Sequence, residues 1–150
     1  TAVLEIVRRC DEKQGGERVL IKRLPGLEDS SRYWSVFMTL DHLRIVNDAV
    51  AGVIDALCSG EIPTRATSTA EVKPGTDVDR SIIADFEISC RRLEETVAKT
   101  ITFPATPRYA HPWFGPMDAA AWHFLSGFHL RLHRKQIEAI LAGLKADDSR

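Results

Sequence analysis

The chain has little of what usually reveals a function. Only three of its 150 residues are cysteine, at positions 10, 58 and 90, with no CxxC among them. An odd, widely spaced set forms neither a disulfide framework nor a zinc-knuckle pattern. Cys10, Cys58 and Cys90 are therefore expected as free, buried or half-exposed thiols. With no secretory signal visible, a reducing cytoplasm is the expected compartment. Basic excess is missing too: 20 Lys and Arg face 21 Asp and Glu, a formal net charge of −1. Without a basic patch or stripe the sequence does not read as a nucleic-acid binder. No run approaches the roughly 18 consecutive apolar residues of a membrane span. Internal repeats, low-complexity tracts and convincing strand alternation are all lacking.

What is present is helical periodicity. Apolar residues make up 44% of the chain, enough for one core, and the length suits a single domain over residues 1–150. A first helix is expected over 1–13, with Val3, Leu4, Val7 and Cys10 near one face, ended by Gly15-Gly16. Residues 17–28 read as an extended or irregular crossing. A second helix over 31–57 carries Met38, His42, Ile45, Val46, Ala49, Val53 and Leu57 at 3/4 spacing. Ser30 and Ser31 are its candidate caps, and Cys58-Ser59-Gly60 its stop. After a long loop over 60–77, a third helix is expected over 78–100, with Asp77 as cap. It carries Ile82, Ile83, Phe86, Ile88, Leu93 and Val97, more apolar residues than one stripe needs, so homodimerisation is an expectation. Residues 102–117 hold four prolines, which are expected to exclude regular structure. They also hold Phe103, Tyr109, Trp113 and Phe114, expected to fold over one end of the bundle. Asp118 caps the last helix, 118–144. The pattern is that of an all-α, up-down four-helix bundle with long loops after its second and third helices.

The histidines carry the chemistry. His129 and His133 are four apart, a net rotation of about 40°, so both imidazoles leave one helix face. No Glu follows the first, so HExxH protease chemistry is not implied. Both lie on the apolar stripe with Leu125, Leu132, Ile137 and Ile140, and His42 lies on the stripe of the second helix. Core-facing imidazoles are costly unless satisfied. Three of them converging from two helices would make a divalent metal site with an open position for water or substrate. The competing reading is three satisfied core histidines in a non-catalytic bundle that binds a small molecule or a protein. His123 falls about 240° from His129 and reads as surface or boundary. His111, in the aromatic loop, either reaches the site mouth or bonds locally.

Three stretches taken together resemble the DinB-like superfamily of bacterial four-helix bundles, which includes bacillithiol- and mycothiol-dependent transferases. They are Tyr33-Trp34-Ser35-Val36 leading to Leu40-Asp41-His42-Leu43, then His111-Pro112-Trp113-Phe114-Gly115-Pro116 before Trp122, and then His129-Leu130-Arg131-Leu132-His133-Arg134-Lys135-Gln136. The resemblance covers about 33–144. It implies a divalent metal, zinc first and nickel, iron or manganese after it, held by His42, His129 and His133. It also implies a low-molecular-weight thiol added to an electrophilic small-molecule substrate, since a coordinated thiol is held as thiolate. A hydroxide formed from bound water would make the site a hydrolase instead. His111, Trp113 and Phe114 are the candidate pocket residues, the two aromatics serving as substrate contacts or plain lid packing. Gln136 reads either as a hydrogen-bond partner of a ligand or backbone group or as a solvated helix position. Asp41 and Asp48 are acids near His42 with no sequence sign that they reach it. Residues 17–32 have no simple counterpart in the family.

Overall fold

The computed structural model describes residues 1–65, 68–100 and 107–147. The expected loop over 102–117 thus lies partly outside the described residues, Phe103 included. The rest is mostly helical. The expected first helix is two short ones, α1 (Ala2–Val7) and α2 (Glu12–Gly16). A new cap explains the break: Asp11 Oδ1 accepts from the Gln14 N–H at 2.8 Å and restarts the helix. Gly15 does not end the first helix but lies inside α2, where a Cβ would sit 2.0 Å from the Phe37 ring. Only a glycine lets this turn lie against that ring.

The long helices are α3 (Val36–Cys58), α4 (Ile82–Lys99) and α5 (Ala119–Asp147). α3 begins five residues later than expected. Residues Asp29–Tyr33 form a 3₁₀ turn, and Ser35 rather than Ser30 or Ser31 caps the helix, its Oγ accepting from the Met38 N–H at 3.1 Å. Its end follows the sequence reading. Gly60 takes φ 82°, and the Gly60 and Glu61 amides bond back to the Leu57 and Ala56 carbonyls, a Schellman closure. α4 starts after Asp79, whose carboxylate accepts from the Ser81 N–H, so Asp77 is not its cap. Asp118 does cap α5, accepting from the Ala121 N–H at 2.9 Å.

α3 is the central helix. Every residue from Val36 to Leu43 is buried, so its first two turns are enclosed rather than striped. It packs against α2, α4 and α5. One core cluster joins α1, α3, α4 and α5 through Val7, Phe37, Leu40, Phe86, Ile137 and Ile140. A second joins the later half of α3 to Leu93, Tyr109 and Trp122. Large side chains fully buried in this way contribute about 1.5–3 kcal/mol each.

Helix direction departs from an up-down bundle. Asn47 donates to Ser89 Oγ, Asp48 meets Arg92, and Cys58 meets Thr100, at sequence separations of 42, 44 and 42. A constant separation means that α3 and α4 run parallel. α5 runs antiparallel to α3, with His42 facing His129 while Trp122 packs near Val50 and Leu57. The long connection after α3 is what allows the parallel pair, because the chain must travel back before α4 begins. This connection contains a 3₁₀ turn, Thr69–Val72. Of the apolar surplus on α4, Ile82, Phe86 and Leu93 are buried, and Ile83 and Val97 pack against the two core clusters. Ile88 is left exposed, so that set does not form an apolar outer face.

The proline-rich segment is also more regular than expected. β1 (Tyr109–His111) and β2 (Gly115–Met117) pair antiparallel, with Tyr109 opposite Met117 and His111 opposite Gly115. Gly115 at φ 70° closes the three-residue loop. Pro116 is tolerated because a two-stranded ribbon has only edge strands, where a missing N–H costs no ladder bond.

Gly15→Ala is expected to destabilise the protein by about 1–3 kcal/mol through overpacking against Phe37. Gly52→Ala, at an exposed α3 position with nothing within 4 Å of its added Cβ, is expected to stabilise it by up to about 1 kcal/mol. Urea denaturation of both variants checks the pair.

Candidate metal centre

His42 on α3 and His129 and His133 on α5 meet in the bundle interior. The Nε2 atoms of His42 and His133 each lie 3.1 Å from Nε2 of His129. The three ligand atoms all fall within 4.8 Å of one another. Antiparallel packing of α3 against α5 brings them together, and the i, i+4 spacing on α5 supplies two of the three from one face.

Their outer nitrogens decide the tautomers. His42 Nδ1 lies 2.6 Å from the Val72 carbonyl, which can only accept, so Nδ1 carries the proton. His133 Nδ1 lies 2.6 Å from Gln136 Oε1. The Gln136 amide is itself oriented, because its Nε2 donates to the Ser31 carbonyl at 2.8 Å. His133 Nδ1 is therefore a donor as well. Two Nε2 lone pairs thus point at the same partner, Nε2 of His129, and a neutral His129 can offer them at most one proton. That mismatch is the donor-set signature of a cation site. Metal-ligating histidines commonly give their other N–H to a carbonyl or amide in this way.

Burial keeps the rings neutral. Desolvation holds His133 down to about 3, with the nearby His42 adding to the shift and the Gln136 bond opposing it. His129 is held well below its ordinary value by desolvation, then by His133, His42 and His111. His42 is lowered by burial, partly offset by the Val72 carbonyl, Glu28 and Asp41. Neutral imidazoles are the form that binds a metal. The donors and their orientation fit a divalent ion with nitrogen ligands.

The cluster lines one end of a cavity of about 350 Å³. Its walls include Trp34, Val46, Val50, Trp122, Leu125 and Phe128, and its rim includes His111, Trp113 and Phe114. All three pocket candidates from the sequence therefore border the cavity. Trp113 and Phe114 are 61% and 59% exposed, so they sit at the opening and are not packed beneath it. The two readings of His111 both hold. Its Nδ1 accepts from the Trp113 N–H at 3.1 Å, which leaves the proton of the neutral ring on Nε2, and the ring also lines the cavity. His123 is exposed, away from the cluster.

Several supporting residues were not legible as such. Gln136 takes the hydrogen-bonding alternative of the sequence reading and not the solvated one: it is fully buried and bonds the Ser31 carbonyl, though its bond to His133 was not anticipated. Trp34 stacks on His133, with ring centroids 6.4 Å apart at 13°. Val72 and Ser31 act through backbone carbonyls, which leave no trace in residue type. Asp41 does not reach the cluster. It pairs with Arg44 and accepts from the Gly75 N–H at 2.9 Å, tying down the connection that carries Val72.

The fold and site define a four-helix bundle with an internal three-histidine cluster able to hold a metal ion. TT2238, described as a four-helix bundle protein, is a solved structure similar to this chain. It is 23% identical, with a TM-score of 0.63, over 92% of this chain and 88% of that one. No protein-family model matches the chain, and no curated protein matches it significantly. No helix among the described residues is long and apolar enough to cross a membrane.

Gln136→Leu keeps the volume but removes the acceptor of His133 Nδ1. It is expected to weaken metal binding by about 10–100-fold, read by competition with a chromophoric chelator. In metal-free protein the depressed histidines also set a pH trend. Below about 6.5 the unfolded chain takes up protons that the folded cluster refuses, so stability falls as pH drops from 7 toward 4. The slope reaches about 1.4 kcal/mol per pH unit for each imidazole kept neutral. Urea titrations at pH 7, 6 and 5 measure it, and a flat profile would contradict it.

Proposed function

We propose that this chain is a DinB-like metal-dependent enzyme that joins a low-molecular-weight thiol to a small electrophile. The observation that carries the reading is the inward convergence of three Nε2 atoms, two of them fixed as lone-pair donors. His42, His129 and His133 hold the ion, zinc first, with nickel, iron and manganese also compatible. When bound there, such an ion would lower the pKa of a thiol cosubstrate. The protein's own groups do the rest. Val72 and Gln136 aim two of the ligands. Trp34, Trp122 and Leu125 line the inner cavity, and Trp113 and Phe114 border its mouth. One S–C bond forms; the thiol proton passes to solvent, and the electrophile either loses a leaving group or gains a proton. His111, whose Nδ1 accepts from the Trp113 N–H, lines the cavity outside the cluster.

Protein purified without a histidine tag is expected to carry about one equivalent of divalent metal by elemental analysis. His129→Ala should lose that metal and melt at lower temperature, since an ion bound only by the folded state adds stability. His123→Ala should keep it. A metal-free protein that also refuses added metal overturns the proposal in favour of a non-catalytic binding bundle. A metal-loaded protein that cleaves esters or amides without any thiol would make it a hydrolase.

A further inference from the structure

The cavity has a shape as well as a lining, and on the thiol-transfer reading, on which this proposal rests, that shape sets the class of electrophile. From the histidine cluster the lining residues advance along both long helices. On α3 they are His42, Val46, Ala49 and Val50, at i, i+4, i+7 and i+8. On α5, which runs the other way, they step back from His129 through Ser126 and Leu125 to Trp122. Each series keeps one helix face to the same space. At about 1.5 Å per residue, His42 to Val50 and His129 to Trp122 each span about 10–12 Å. The aromatic hairpin stands over the far end. The His111 ring lies 5.2 Å from the Trp122 ring and 5.0 Å from the Phe114 ring. The cavity is thus a slot, with imidazoles at one end and its mouth at the hairpin. Polar atoms are scarce on the two helical walls. Beyond the histidines and the Trp122 indole nitrogen, only Ser126 carries one, and its hydroxyl donates to the His123 carbonyl at 2.7 Å. Trp122 Nε1 has no partner, yet it is closed to water, so the slot does not meet it as a donor. A molecule lying between these walls removes apolar surface from water along its length and gains no fixed hydrogen bond from them.

We propose that the slot takes the apolar tail of the electrophile, an unbranched chain of up to about eight carbons, with the reactive carbon at the histidine end. An extended chain gains roughly 1.2 Å per bond, so about eight carbons fill the span between cluster and hairpin. A longer chain emerges past Trp113 and Phe114, which are themselves exposed, and its further carbons stay in water.

The probes are ω-bromoalkanols of about three to twelve carbons, neutral molecules whose bromine quenches an indole on contact. Trp34, Trp113 and Trp122 are the chain's three tryptophans, and all line the cavity, so saturable quenching reads this site. Binding to the full-length protein, as purified and without thiol, is expected to tighten about threefold to fourfold per added carbon and to level off near eight carbons. Val46→Phe, one turn along α3 from His42, should weaken the eight-carbon probe by about tenfold or more and move the plateau to shorter chains. Leu125→Phe obstructs the slot from α5 and keeps the test decisive if Val46→Phe fails to fold. Overturning results are an absence of saturable quenching, a Kd that ignores chain length or keeps falling to the longest probe, or a plateau unmoved in both variants. This profile needs neither thiol nor turnover. Thiol transfer is read separately, as loss of mercaptoethanol in the presence of zinc and each probe: an S–C bond forms, bromide leaves and the thiol proton goes to solvent. A length profile without thiol loss ends the thiol reading and keeps the slot. Thiol loss at one rate for every chain length ends the slot and keeps the thiol reading.

Discussion

Three imidazoles sit inside this bundle in their neutral form, and much of the surrounding structure serves to keep them there. A buried polar nitrogen without a partner costs about 1–3 kcal/mol. The fold meets this at the outer edge of His42 and His133 with the Val72 carbonyl and the Gln136 amide. Each partner is itself held. Gln136 is fixed by Ser31, and the connection carrying Val72 is fixed by Asp41 through Gly75. The inner edges have no equivalent arrangement of protein donors. The polar groups are satisfied outward and left convergent inward, which is how a protein prepares a cation site rather than a stable polar core.

The parallel run of α3 and α4 follows from the same requirement. Asn47 with Ser89 and Cys90, and Asp48 with Arg92, set the register of the two helices. The chain must then return along the bundle between Cys58 and Ile82, and the returning segment delivers the carbonyl that orients His42. A short antiparallel hairpin of helices would leave no backbone at that place. Likewise the segment before α3 bends into a 3₁₀ turn instead of extending the helix. In that bend the Ser31 carbonyl accepts from both the Trp34 N–H and the Gln136 amide, and Glu28 is among the residues lining the cavity. Residues 17–32, which have no simple counterpart in the family resemblance, thus end in a segment that holds Gln136 beside the histidine cluster and lines the cavity.

The cavity joins these features to chemistry. Its inner end is nitrogen-rich, its walls are mostly apolar with Glu28, Ser31, Ser68, Thr69 and Ser126 among them, and its rim carries the aromatic hairpin. The hairpin was hidden in the sequence because proline normally argues against a strand. A two-stranded ribbon has no interior strand for Pro112 or Pro116 to disrupt, so the local rule lost its force there.

The sequence by itself determined the long helices, the closing turn at Gly60, the Asp118 cap and the three histidines. These depend on local spacing: apolar residues every three to four positions, a glycine free to take positive φ, a carboxylate one turn before an N–H, and an i, i+4 pair on one face. Only the tertiary structure decided the direction of α4, the burial of Gln136, the packing of Gly15 against Phe37, and the roles of Val72 and Ser31. Those depend on backbone carbonyls and on contacts between residues far apart in the chain, such as Ser31 with Gln136 across 105 positions. A carbonyl is the same in every residue type, so no sequence pattern marks the one that will orient a ligand.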